Sequence, residues 1–335
     1  MTDIDLTPGI SYRDHIYDST VWDGVSSQPD GVGISVTNGS TPNLTNITTN
    51  RLREKCIFNA TPINYGGSIY GFEPTYVINL KGRTSAGFTV MDVGCVGIFD
   101  LETQIKEYTE SSGTIFLTEA KLIIEVNPGA DTYTYNIINL VGTNSVVNSR
   151  FSLNSLFMPI LYNGELNHDA EEITVKFVIK FIGPDLLDLV NYNQFKIGRL
   201  WLGNYMPVCF DADWSITLDN PSQINYSAGL DAHPIEQRRR RRGSFPIGNI
   251  LQSDAMTSPA AIDTGYPYTT FSDMQLQCGK DYPLVVAHRR ERNDTSPDFI
   301  YPDPYVLFGL MSKDMQIQHV DGPLYQTQID VVELI

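Results

Sequence analysis

The clearest pattern of hydrophobic and polar positions in this chain is alternation with period two. In Glu172–Phe181 (EITVKFVIKF), Ile173, Val175, Phe177, Ile179 and Phe181 fall on one side, and Glu172, Thr174, Lys176 and Lys180 on the other. Successive side chains of a strand point to opposite faces, so this run predicts a strand with one core face and one watered face. Shorter runs rich in β-branched and aromatic residues predict strands at Ile34–Thr37, Tyr76–Leu80, Gly87–Val93, Cys95–Phe99, Gly113–Leu117, Ala120–Val126 and Thr132–Ile138. Downstream, Phe245–Gly248, Tyr282–Ala287, Tyr305–Leu310 and Thr327–Ile335 continue the pattern; in the last, Ile329, Val331 and Glu333 share one side. Asn38-Gly39 after the first run predicts a type I′ hairpin turn.

Helical signals are few. Gly183-Pro184 ends the long strand, and Asp185–Val190 reads as a short amphipathic linker. Phe271–Gly279 reads as a short helix stopped by a C-terminal glycine. The fold class is therefore mainly β: an N-terminal antiparallel β-sandwich or jelly roll plus a second, smaller β-rich domain. The expected division is an extended N-terminal arm at 1–30, a sandwich domain at 31–184 and a C-terminal assembly domain at 185–335.

Composition supports that reading. Over 335 residues the chain is 19% charged and 11% aromatic, which suits a folded β protein long enough for two cores. No stretch of 18 apolar residues occurs, and the N-terminus MTDIDLTPGISYRD carries acids where a secretion signal needs a basic start, so a soluble cytosolic product without membrane insertion is expected. On that expectation the sequons at Asn38, Asn43, Asn46, Asn59, Asn225 and Asn293 read as polar turn composition. Cys56, Cys95, Cys209 and Cys278 lack metal or disulfide spacing and are expected to be buried thiols.

Charge then singles out one segment. The net charge is −16, yet Arg238, Arg239, Arg240, Arg241 and Arg242 are consecutive, at the end of a stretch that also holds Trp201 and Trp214. The acidic balance argues against nucleic acid as the partner of the whole molecule. On a strand, Arg238, Arg240 and Arg242 would face one way and Arg239 and Arg241 the other, with no aromatic residues interleaved for base stacking. A protein interface to acidic neighbours is the favoured role, ahead of a solvated, edge-protecting strand. The apolar half, with Trp201 and Trp214, is expected to build the second domain's core and its docking surface.

Other chemistry is sparse. There is no GxSxG, Walker loop, GxGxxG or HExxH, and no nucleophile with an evident base, so an enzyme is not expected. His15, His168, His233, His288 and His319 are scattered, which suits surface or hydrogen-bonded core positions better than a metal site. No cofactor is expected; a loop calcium ion stays open, although Asp211-Ala-Asp213 and the acids near Asp294 and Asp298 do not make an EF-hand. Trp22, Tyr65, Tyr70, Tyr133 and Tyr135 are candidates for a sugar-stacking face, against the plainer reading as core and cross-strand pairs.

The segment Gly198-Arg199-Leu200-Trp201-Leu202-Gly203, with Trp214-Ser215-Ile216, Asp219-Asn220-Pro221-Ser222, the arginine-rich strand and Ile329–Leu334, resembles a class of tailed-bacteriophage virion proteins. Upstream, Tyr76–Leu80 with Val93–Phe99 is similar to a discoidin-like strand pair. The resemblance implies a discoidin or galactose-binding-like jelly roll joined to a β-rich domain, in a structural part of the tail tip, baseplate or a related appendage. It implies a virion location after synthesis in the host cytoplasm. The implied partners are other virion proteins and copies of the chain itself in a ring-like homo-oligomer. A glycan-binding module for host-surface recognition is the alternative.

Overall fold

The computed structural model describes residues 8–12, 14, 16, 33–48, 52, 54–80, 92–103, 116–127, 131–137, 155–162, 165–166, 168–183, 189–219, 223–226, 232–235, 240–256, 270–277, 282–288, 301–302 and 306–334. Among these residues the protein is mainly β, with antiparallel sheets stacked face to face and two short α-helices.

The Glu172–Ile182 strand lies near the middle of a seven-stranded sheet, between Phe116–Val126 on one side and Ile69–Phe72 and Thr75–Asn79 on the other. Its core side is realised, with Ile173, Val175, Phe177, Ile179 and Phe181 fully buried; on the other side Lys176 and Lys180 are half-buried, but Thr174, expected to face water, is buried. The core-side residues face a four-stranded sheet built from Glu102–Thr103, Gln194–Ile197, Cys56–Ala60 and Gly39–Ser40. Aromatic rings join the two layers, with Phe195 6.0 Å from both Phe72 and Phe177, and Phe58 5.3 Å from Tyr76.

A second four-stranded sheet, Arg199–Gly203, Cys95–Phe99, Leu156–Pro159 and Tyr301–Pro302, is covered on both faces. Val96, Ile98, Leu156, Met158, Leu200 and Leu202 point into the first core. Cys95, Phe99, Phe157 and Trp201 point the other way, against Val285, Ala287, Val306 and Phe308 of an eight-stranded sheet. Phe99 stacks on Phe308 at 4.6 Å, and Trp201 meets the same ring edge-on at 5.8 Å. Gly97 permits this packing, since a Cβ there would lie 2.8 Å from the Phe99 ring and 3.1 Å from Trp201 Cβ.

The eight-stranded sheet runs Met206–Pro207, Gly9–Ser11, Leu284–Ala287, Val306–Met311, Leu324–Glu333, Arg240–Leu251, Ser215–Asp219, with Gln318–Asp321 folded back onto Leu324–Glu333. Its other face, including Phe245, Leu307, Ile329 and Val331, packs under the helix Phe271–Gln277. Strand pairing crosses residue 184 in both directions. Gln194–Ile197 and Arg199–Gly203 join upstream sheets, while Gly9–Ser11 sits between Met206–Pro207 and Leu284–Ala287.

The hairpin expected at Asn38-Gly39 does not form. Gly33–Thr37 pairs with Thr75–Asn79, whereas Gly39–Ser40 pairs with Cys56–Ala60 in a different sheet, so the dipeptide marks a crossing between layers. Asn38 takes a positive φ of 60° and donates from Nδ2 to the Glu73 carbonyl at 3.1 Å. Gly39 is needed for closeness, because a Cβ there would strike the Phe58 ring. Of the predicted linker helix, residues 185–188 lie outside the described residues, and Val190–Tyr192 forms one 3-10 turn.

Candidate functional site

The arginine run enters the fold at the start of the Arg240–Leu251 strand; Arg238 and Arg239 lie outside the described residues. In register, Leu310, Val332, Arg242 and Thr217 share one face of the eight-stranded sheet, while Met311, Val331, Gly243 and Ile216 share the other. Arg240 and Arg242 are exposed, on the face that the middle sheet covers only as far as Leu334. They stand opposite Asp219 and Thr217 of the outermost strand, Ser215–Asp219. Arg241 points inward and is 7% exposed. Its Nε donates to Glu333 Oε1 at 2.9 Å, its backbone N–H to Oε2 at 3.0 Å, and a second guanidinium nitrogen also reaches Oε1. The run therefore divides between an outward pair and an internal clamp.

The two tryptophans part company. Trp201 is fully buried at the seam between the middle and eight-stranded sheets, and Nε1 donates to Ser11 Oγ at 2.8 Å. Ser11 also accepts from the Cys95 thiol at 3.2 Å. Burial pushes that thiol up to about 12. Nearby, the buried Arg199 guanidinium pairs with Asp14, whose Oδ1 accepts the Ile16 N–H at 3.1 Å. Burial raises the Asp14 carboxyl above its usual range, and Arg199 works against that rise. Ser11 and Asp14 thus stitch the middle layer to the eight-stranded sheet through buried polar contacts. Trp214 is half-buried on the helix-covered side, with Phe245 at 6.4 Å and His288 at 4.9 Å. Trp201 is an internal contact and does not offer a surface to a partner.

The tyrosine set is not brought together. Tyr70, Tyr133 and Tyr135 stand opposite Phe181, Ile124 and Leu122 on the core side of the seven-stranded sheet, and Tyr135 is 2% exposed. Tyr65 lies beneath Lys180 of the outer side, with Nζ 4.9 Å from the ring centre, and donates to Glu73 Oε1 at 2.9 Å. Burial, then Glu73, raises its hydroxyl. Trp22 lies outside the described residues. Tyr65 therefore faces the other side of the sheet from Tyr70, Tyr133 and Tyr135, so these four rings do not form one surface.

Cys56 and Cys95 are buried thiols as expected, whereas Cys209 is exposed. Its neighbour Val208 takes the inward position and ties its N–H to the Pro8 carbonyl at 2.7 Å, which turns residue 209 outward. His288 is buried against Trp214 and Phe245, and the His319 ring nitrogen lies 2.7 Å from the Gly322 carbonyl oxygen. Asp211 and Asp213 are exposed, while Asp294 and Asp298 lie outside the described residues. Among the described residues no three His, Cys, Asp or Glu side chains are gathered closely enough to hold a metal ion.

Two features escaped the sequence reading. Glu333 shares the apolar side of its strand with Ile329 and Val331, and an acid there signals a buried basic partner. The second is a polar cleft of about 430 Å³ beside the Leu324–Glu333 strand, lined by Asp330, Gln328 and Gln326. These are the alternate outward residues of that strand, so its pattern carried the signal. Comparison with protein-family models, curated proteins and solved structures finds no match.

Proposed function

We propose that this protein is a structural component of a tailed-bacteriophage virion, at the tail tip, baseplate or a related appendage. Several copies assemble through the open face of the eight-stranded sheet. The observation that carries this reading is the exposed pair Arg240 and Arg242 beside the outermost strand, in a chain with 39 acidic and 23 basic residues. A basic patch on an acidic molecule complements the rest of that molecule's surface. A contact between unlike patches repeats from copy to copy and closes into a ring when the rotation allows. The resemblance of the Gly198–Gly203 and Ile329–Leu334 segments to virion proteins supplies the setting.

The test has two parts. Mass spectrometry of purified virions should find the chain among the particle proteins, and its absence there would remove the virion assignment. Sedimentation velocity of Arg240→Ser/Arg242→Ser should show loss of the higher-order species with unchanged circular dichroism, and added salt should weaken the wild-type assembly in the same direction. A double variant that assembles like wild type would refute the arginine interface.

A further inference from the structure

The eight-stranded sheet has a gap that its strand pairing explains. Val306–Met311 pairs with the far end of Leu324–Glu333, through Val331 to Glu333, and Gln318–Asp321 pairs with its near end, Leu324 to Gln326. Between them, residues 327–330 face the connecting loop 312–317 instead of a strand. The loop is pinned at its ends, where Ser312 N–H donates to the Asp330 carbonyl at 2.8 Å and Thr327 Oγ1 donates to the Gln316 carbonyl at 2.9 Å. The cleft of about 430 Å³ lies here, with Pro246 as its apolar wall.

Hydrogen bonds fix its polar groups in advance. Gln328 Nε2 donates to Ser244 Oγ at 2.9 Å and to Asp330 Oδ1 at 3.0 Å, and Lys313 Nζ reaches Asp330 Oδ2 at 3.2 Å. Burial acts to raise the Asp330 carboxyl, but Ser244, Gln328 and Lys313 together hold it below its usual range, so it stays ionised. Gln326 Nε2 donates to Gln318 Oε1 at 3.1 Å. These bonds leave Oε1 of Gln326 and Gln328 as acceptors and Nε2 of Gln318 as a donor, each held in place and open to a ligand. Among the described lining residues, Asp211, Asp314 and Asp330 accompany the ammonium of Lys313, so the lining itself carries more acidic than basic groups.

From this geometry we infer that the cleft is a binding site for a neutral saccharide. A hydroxyl group both donates and accepts, so a polyol can satisfy neighbouring acceptors and donors that a simple cation or anion would leave half unmet. The cleft has the size range of small-ligand sites, and half-buried Pro246 gives the C–H face of a sugar ring somewhere to rest. The site is separate from the tyrosines but shares the sheet face of Arg242, so binding is measured on Arg240→Ser/Arg242→Ser as well as on wild type, and a failure of the arginine interface leaves the inference standing.

Saturation-transfer NMR and calorimetry on the full chain test it, with the methyl glycosides of glucose, galactose and mannose, free N-acetylglucosamine, glucose 6-phosphate, and butylamine as a simple cation. The expected result is saturable binding of at least one neutral sugar with Kd of about 1 mM or tighter. Gln318→Ala/Gln326→Ala and, from the opposite wall, Asp211→Asn should each weaken it about tenfold or more, with melting temperature unchanged, which is roughly one lost hydrogen bond. Glucose 6-phosphate should bind more weakly than the neutral glucoside. The inference is overturned if no neutral sugar binds, if the phosphate or butylamine binds as well as the best sugar, or if both cleft variants keep wild-type affinity.

Discussion

Arg241 and Glu333 form a buried pair whose partners are each satisfied by the other. Removing either side chain breaks a buried, hydrogen-bonded charge pair, so Arg241→Ala or Glu333→Ala should each cost about 3–5 kcal/mol in denaturant unfolding. Arg240→Ser should stay within about 0.5 kcal/mol, as surface changes do. Equal losses at all three positions would mean that the inward and outward roles are misassigned. The thiols make a second residue-scale contrast. Cys209 is exposed, while Cys95 is fully buried with its thiol held near 12, so a thiol reagent at pH 8 should modify Cys209 in the native protein and reach Cys95 only on unfolding. Peptide mapping of the labelled protein reads this directly.

At the scale of elements, charged side chains tie strands together on solvent faces. Glu102 accepts from Lys55 at 2.8 Å and Lys196 at 3.0 Å across the first four-stranded sheet, and the Lys55 bond leads in holding its carboxyl below 4.5. Glu119 is also lowered, since Lys121 and Lys180 outweigh its burial. Both folded values lie below the unfolded 4.5, so these groups contribute stability above that pH and lose it as pH falls through the folded values. The melting temperature should therefore decline on acidification below about pH 4.5, and less steeply in Lys55→Met/Lys196→Met. An identical slope in the variant would assign the decline to other carboxyls. The Gly9–Ser11 strand is the other element with a clear consequence. Ser11→Ala leaves the Trp201 indole N–H buried without its acceptor and should cost about 1–3 kcal/mol, whereas an unchanged unfolding midpoint would argue against the stitch.

For the whole molecule, the middle sheet decides cohesion. Its strands are buried on both faces, so Trp201, Phe99 and Phe308 hold the seam between layers that lie far apart in sequence. Trp201→Ala should cost about 3–5 kcal/mol and expose the seam to protease. The proposed assembly would use the side of the eight-stranded sheet that carries the exposed Arg240 and Arg242.

Strand periodicity was legible wherever one face is wet, as at Glu172–Ile182 and Leu324–Glu333, because a period of two records which side meets water. The alternation of the arginine run was legible for the same reason. Strands such as Cys95–Phe99 and Arg199–Gly203 lose that record, since both faces are buried. Their apolar runs announce strands but not the layers they join. Asn38-Gly39 misled for a related reason: a positive φ at Asn serves a sheet crossing as well as a hairpin. The partner of Arg241, the seat of Trp201, the scattering of the tyrosines and the cleft beside Asp330 all depend on which strands lie side by side. Local sequence determines which way a side chain faces, but long-range pairing determines what it meets.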